Sequence, residues 1–412
     1  MDKTVLIGPF TQLLPMDKLP VKGALSDKNL GIINNAGIKV SDGKIVEVGV
    51  FDALNSDGIA IEHIAGNQVC LPGFIDAHTH ICFAGSRAND YALRNAGKSY
   101  LEIANAGGGI WDTVTHTRRA SEEELVHGII TRGHHHLQKG VTTLEVKSGY
   151  GLSVEEELKM LRAIKKAHSQ IPIDLISTCL AAHMKPKDWR GTGAEYLEEM
   201  GNGLLPKLKS EGLTNRVDAF IEESAFSSPE IAPYFQKAKD MGFDLTVHAD
   251  QFSRGGSETA IAFEALSADH LEASTPKEIE MLAKSNVVSV ALPGASMGLG
   301  CGFAPARKIL DAGGALAIAS DHNPGSAPMG NLLTQASILA TFEKLSNAEV
   351  LAGITFRAAA ALNLNDRGRL QKGMQADLVA FPVANYQEIT YRQGELQPSN
   401  VWKNGVVVFQ KN

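Results

Sequence analysis

His78 and His80 stand one residue apart in LPGFIDAHTHICFAG, residues 71–85, where an apolar run ends. In a strand, residues two apart face the same side, so both imidazoles would project together. Taken alone, such a pair is as readily two hydrogen-bonded core histidines. Here Asp76 precedes it by two, and His248 in DLTVHAD and Asp321 in ALAIASD close two further apolar runs. Three imidazoles and one carboxylate make a ligand set for a divalent transition metal that keeps one position open to water. Zinc and ferrous iron suit the set alike. The chemistry would be hydrolysis by a water activated at neutral pH.

Other polar residues end similar runs. His270 in SADHLE is either structural or a catalytic group beside the activated water. His183 in AAHMKP reads as a substrate contact, and Glu222 and Glu223 end FIEES. Lys147 in LEVKSG is either catalytic or an ion-pair partner of Glu145. Arg87, Tyr91 and Tyr100 follow the first histidine pair, in the same connection as NAGGGIWDTVTHTR, residues 105–118. An arginine at the mouth of such a site can clamp a carboxylate through two parallel hydrogen bonds. The three glycines lack the Lys-Ser/Thr of a phosphate loop. They read as a flexible loop, or as a lid or wall that lets backbone approach a ligand. His134, His135 and His136 precede the second run, so they are expected at the far end of the molecule, on the surface or in packing.

These residues need a frame that gathers run ends. Eight apolar runs supply it: GFIDAHTH, VTTLEVKSG, DLISTCLAAH, RVDAFIEES, DLTVHAD, LSADHLE, VVSVALP and ALAIASD. Between them lie amphipathic stretches. SVEEELKMLRAIKKAH carries Val154, Leu158, Leu161 and Ile164 on one face and opens on Ser153 and Glu156, a capping-box pattern. TPKEIEMLAKS repeats it with Thr275 and Glu278. Strand–helix alternation implies a parallel sheet, and eight units imply a (β/α)8 barrel of α/β class over residues 69–364. Active-site groups of such barrels gather at the C-terminal strand ends. The flanks, 1–68 and 365–412, carry alternating runs with Asp42-Gly43 and Asn404-Gly405 at hairpin turns. They are expected to form one small β-sandwich domain from both chain ends.

The composition fits this frame. Hydrophobic residues make up 44%, charged residues 21%, and the net charge is −7. A nucleic-acid partner is disfavoured, and no run of about 18 apolar residues provides a membrane span. MDKTVLIGPFTQLLP lacks the basic start and apolar core of a secretory signal, so a cytoplasmic location is expected. Cys70, Cys82, Cys179 and Cys301 form no CxxC pair and are expected as small buried residues of a reducing compartment.

LPGFIDAHTH, the later HAD, SDHNPG, and GRLQKGMQADLVAF at 368–381 resemble the amidohydrolase superfamily. The resemblance runs from about residue 30 to 408. DAHTHICFAGSRANDY, AGGGIWDTVTHTR, EVKSGYGL, HADQFSRGGS, SADHLE and SDHNPGSAP are together most similar to its imidazolonepropionase branch. That resemblance implies ring opening of 4-imidazolone-5-propanoate to N-formimidoyl-L-glutamate in histidine degradation. It implies one zinc or iron ion (Zn2+, or Fe2+/Fe3+) per subunit, held by His78, His80, His248 and Asp321. Relatives with two metals often bridge them by a carboxylated lysine on the fourth strand; FIEES has none, which argues for one metal. Arg87, Tyr150 and His183 match positions that hold the substrate, as do Asn323, Gly325 and Ser326, with Tyr100 a further candidate for the propanoate. Gln251 matches a position that is Glu or Gln in members and is a further catalytic candidate. Asp321 is expected to move the proton from water to the leaving nitrogen. His270 would orient the nucleophile or stabilise the oxyanion, and His183 would donate to the ring carbonyl. A carboxylate-bearing small molecule is the expected partner, and a homodimer the expected assembly. The alternative is a guanine-type deaminase on the same scaffold, against which the glycine loop and Arg87 speak; a non-catalytic barrel is remote.

Overall fold

The computed structural model describes residues 4–98, 102 and 107–411. Both chain ends build one sheet. Its N-terminal strands are β1 (Val5–Leu13), β2 (Ile33–Ser41), β3 (Lys44–Val50), β4 (Ala60–His63) and β5 (Val69–Pro72). The central strands are β6 (Phe74–Asp76), β7 (Val141–Lys147), β8 (Asp174–Ala182), β9 (Arg216–Phe220), β10 (Asp244–Ala249), β11 (Ser267–His270), β12 (Val288–Ala291) and β13 (Leu316–Ile318). The chain closes with β14 (Leu378–Phe381), β15 (Asn400–Lys403) and β16 (Val406–Gln410).

The end sheet has the order β16-β15-β14-β5-β1-β2-β3, with β4 also on β1. Both foreseen hairpin turns are present. Asp42 and Gly43 have φ of 51° and 74°, Asn404 and Gly405 of 50° and 73°, the double positive φ that Asx-Gly turns adopt at least cost. The sheet is strongly curled. Phe10 on β1 and Trp402 on β15 lie three strand spacings apart along it, about 14 Å if flat, yet their rings are 6.2 Å apart. Ile45 N–H donates to the Met374 carbonyl and Ala376 N–H to the Gly43 carbonyl, so β3 folds back towards β14. Ile7, Phe10, Ile38, Leu378 and Trp402 fill the enclosed core. The run VCLPGFID divides at Gly73: β5 pairs with β1 and β14, so the small sheet extends to Pro72, past the expected limit at residue 68.

The eight expected runs become β6 to β13, hydrogen-bonded in chain order and parallel throughout. Closure comes just beyond β6 and β13. Asp321 N–H donates to the His78 carbonyl at 3.0 Å and His80 N–H to the His322 carbonyl at 2.9 Å. The same bonds that close the barrel therefore bring His78, His80 and Asp321 together. Outside, the helix Val154–His168 buries Leu158, Leu161 and Ile164, and leaves Val154 half-buried.

Three local expectations change. Ser153 makes no side-chain cap, although Thr275 and Glu278 form the full capping box foreseen for Pro276–Lys284. Cys301 is exposed, while the other three cysteines are buried. His134 and His135 are exposed on the helix Glu122–Gln138. His136 is fully buried, its Nε2 3.0 Å from His322 Nδ1, so it packs on the barrel closure beside Asp321 rather than at the far end.

Candidate active site and metal centre

Three imidazoles meet where the barrel closes. His78 and His80 follow β6, and His248 lies on β10. His80 Nε2 is 3.2 Å from His78 Nε2 and 3.3 Å from His248 Nε2. Asp321 Oδ1 is 3.6 Å from His78 Nε2 and 3.4 Å from His80 Nε2. All four side chains are buried.

A carboxylate behind each of two rings fixes its proton. Asp269 Oδ2 lies 2.6 Å from His78 Nδ1, and Asp218 Oδ2 lies 2.9 Å from His248 Nδ1. Both rings carry hydrogen on Nδ1 and turn an Nε2 lone pair inward. Metal-binding histidines are oriented by such outer carboxylates. Burial holds His78 and His80 well below the ordinary histidine pKa and His248 down at about 3, so all three rings are neutral. Lone pairs this close repel unless a cation lies among them.

Beneath the rings Lys147 is fully buried, 2.8 Å from both Glu145 Oε1 and Asp218 Oδ2 and 3.9 Å from Asp269 Oδ2. Lysine and carboxylates form one network, which settles Lys147 as an ion-pair residue. One ammonium does not balance these acids and Asp321. Burial pushes Asp269 up to about 7 and Asp321 up to about 6, whereas His248 and Lys147 outweigh burial and hold Asp218 well below the carboxylate range. Converging neutral nitrogens within a net-negative shell fit a divalent cation.

Above the rings is a cavity of about 280 Å³. Arg87, Tyr150, His183, Gln251, His270 and Asp321 all line it, as do Asn323, Gly325 and Ser326. His78 lies below this wall, and Tyr100 lies outside the described residues. Arg87 is fixed by the Asp90 carboxylate at its Nε and by Thr113 Oγ1, 3.4 Å from Nη1. Asp90 also accepts from Gly109 N–H at 2.9 Å, so the described part of the glycine-rich connection is a wall of the site. Asn323 Oδ1 accepts from the N–H groups of Gly325 and Ser326, both at 2.8 Å, folding that stretch into a tight turn.

His183 Nδ1 lies 2.9 Å from the Gly149 carbonyl oxygen. A carbonyl only accepts, so Nδ1 holds the proton; burial lowers the ring's pKa to about 4, which leaves Nε2 a bare acceptor. His270 behaves oppositely. Burial opposes its charge, but Glu272, with Oε2 3.5 Å from Nδ1, helped by Asp321 and Asp269, raises its pKa above the ordinary value. His270, Leu271 and Asp321 have φ of 86°, 76° and 51°, strain concentrated at the site.

The sequence reading missed Asp218, Asp269 and Glu272. Its signal was present: Asp218 is an acid inside the buried strand RVDAF, and Asp269 one inside SADH. Glu222 serves another purpose. It accepts from the N–H groups of Phe252 and Ser253 at 2.9 and 3.1 Å, shaping the loop that carries Gln251, while Glu223 is exposed.

The amidohydrolase family model matches residues 69–408. An imidazolonepropionase of Bacillus cereus is 40% identical, covering 99% of this chain and 97% of its own length. One of Bacillus anthracis matches equally. Among solved structures, 5-methylcytosine deaminase of Klebsiella pneumoniae aligns at TM-score 0.74 with 16% identity, over 99% of this chain and 98% of that one. A zinc-bound adenosine deaminase of Xanthomonas campestris aligns at 0.71 with 19% identity, over 98% and 92%. The deaminases share the fold, whereas the Bacillus enzymes share the sequence from end to end, and with them this chain belongs to the imidazolonepropionases of the amidohydrolase family.

Proposed function

We propose that this chain opens the ring of 4-imidazolone-5-propanoate with water to give N-formimidoyl-L-glutamate. In this reading one zinc or iron ion per subunit is held by His78, His80, His248 and Asp321. The observation that carries it is one cavity lined both by ligand histidines and by a guanidinium held in place, Arg87. That pairing suits a small hydrolysable ring with an anionic tail.

A divalent ion held by His78, His80, His248 and Asp321 would supply the Lewis acidity that lowers the pKa of water towards neutral pH. Arg87 pairs with the propanoate and sets the ring over the histidines. Ser326 Oγ lies 3.5 Å from Asp321 Oδ2, the oxygen turned away from His78 and His80. Through it Asp321 takes a proton from the attacking water and delivers it to the ring nitrogen as the C–N bond breaks. His270, its pKa raised by Glu272, donates to the carbonyl oxygen as that gains charge; removing such a donor costs about 2.7–4 kcal/mol of barrier. His183 accepts from a ring N–H through Nε2, reversing the donor role expected from sequence. Gln251, an amide, contributes hydrogen bonds to the ring and no base. The reading includes a homodimer in the cytoplasm, checked by sedimentation and cell fractionation.

The test is loss of the substrate's ultraviolet absorbance on adding purified protein, with metal measured on the same sample. Turnover is expected with about one metal per chain, abolished by a chelator. Asp321→Asn is expected to lower kcat by roughly 10²–10⁴-fold, and full turnover by a metallated Asp321→Asn would reject the base. A metallated wild type that leaves the compound untouched would reject the substrate, and ammonia release from a purine would reassign the chain to the deaminases.

A further inference from the structure

EVKSGYGL joins β7 to the helix Val154–His168 through a loop with Gly149 at φ 108° and Leu152 at φ 52°. Tyr150, within it, lines the cavity. The loop is held from behind by one side chain. Glu157, in the first turns of that helix, is fully buried and turns its carboxylate back. Oε2 accepts from Gly149 N–H at 3.1 Å, and Oε1 accepts from Gly151 and Leu152 N–H at 2.8 and 2.7 Å. Glu157 does not line the cavity, and the mechanism above leaves it idle.

The backbone it holds does work on the other side. The Gly149 carbonyl receives His183 Nδ1–H, the bond that leaves Nε2 an acceptor. A Cβ on Gly149 would lie 3.0 Å from the Leu180 carbonyl oxygen and 3.1 Å from His183 Nδ1, so loop, strand end and imidazole are in contact. The rings of Tyr150 and His183 are 5.6 Å apart. Arg118 grips the same loop by its carbonyls, Nε to Gly151 at 2.6 Å and Nη2 to Leu152 at 3.2 Å. A carboxylate on three N–H groups and a guanidinium on two carbonyls leave this backbone little freedom.

We propose that Glu157 is a positioning residue for substrate: by holding the Gly149–Leu152 backbone it keeps Tyr150 against the cavity and His183 in its Nε2-accepting form. The inference rests on the substrate roles proposed for those two side chains. A residue that merely capped the helix would affect stability and leave substrate affinity alone.

The experiment uses the metallated full-length enzyme with Glu157→Gln, which keeps the shape but replaces one acceptor oxygen by a donor. KM for 4-imidazolone-5-propanoate is expected to rise roughly 10- to 100-fold, with a smaller fall in kcat and unchanged metal content. Backbone amides of residues 148–152 should exchange faster, and the ¹⁵N shifts of His183 should show loss of its fixed tautomer. Glu157→Asp, which keeps the charge but cannot reach all three N–H groups, should fall between and serves if the Gln variant does not fold. Unchanged KM despite faster exchange would reduce Glu157 to a cap and overturn the proposal. If the wild type does not turn over the compound, the reaction reading fails separately. Exchange and the His183 tautomer then decide, and either one left as in wild type overturns the proposal.

Discussion

A neutral imidazole offers a metal only the nitrogen that its other partner leaves free. For His248 that choice is made by Asp218, and for His78 by Asp269. Asp218 is in turn held by Lys147 at 2.8 Å, and Asp269 lies 3.9 Å from the same ammonium. Asp218→Asn keeps the shape but loses the charge. It should weaken metal affinity about 10- to 100-fold, read by competition with a chromophoric chelator. Affinity unchanged in a folded Asp218→Asn would show that the negative charge is dispensable. This tier was the least legible part of the site. His78, His80, His248 and Asp321 are visible because they end apolar runs, where barrels gather chemistry. Asp218 lies inside a strand, and nothing in RVDAF says that its side chain meets Lys147 across the barrel until its closure is known. The proton on His183 was equally hidden, because its partner is a backbone carbonyl and carries no side-chain signature.

At the scale of elements, local rules located the pieces and tertiary contacts altered their ends. The eight runs and both Asx-Gly hairpins were readable because burial and turn chemistry act on neighbouring residues. The division of VCLPGFID was not. Gly73 N–H bonds to the Asp377 carbonyl, and a Cβ there would lie 2.4 Å from Thr142 Oγ1, so the break depends on strands hundreds of residues and tens of residues away. The two capping patterns diverge for a similar reason. Thr275 and Glu278 cap their helix, while the segment before Ser153 is organised by Glu157 instead. Thr275→Ala should therefore cost about 1 kcal/mol in urea denaturation, and Ser153→Ala only a few tenths of that unit on the same scale. Equal losses would mean that Ser153 does cap its helix.

For the molecule as a whole, the two chain ends must stay docked for the barrel to keep its lower rim covered, and a compact ion cluster holds them. Asp174, at the start of β8, meets Lys403 of β15 at 2.7 Å and pairs with Arg367. Arg367 also donates to Thr143 Oγ1 at 2.9 Å, and Lys403 meets Asp377 at 2.6 Å. Burial raises the Asp174 pKa, but Lys403 and Arg367 outweigh it and leave the group below its ordinary value. A depressed carboxylate contributes stability that is complete above its unfolded pKa, about 3.9, and lost as pH falls through the folded one. Asp174→Asn should lower unfolding free energy by about 2 kcal/mol at pH 7. The gap from wild type should hold down to about pH 4 and narrow below it. Asp377 shares Lys403 with Asp174; burial shifts it upward, and its slope runs the other way in both proteins. Asp174 begins its strand, whereas the candidate site lies at the opposite strand ends, so metal content and KM should match wild type. A gap that stays constant through pH 3 would deny the ion cluster its role, and a loss of turnover in a folded Asp174→Asn would show that the docking of the chain ends reaches the upper rim.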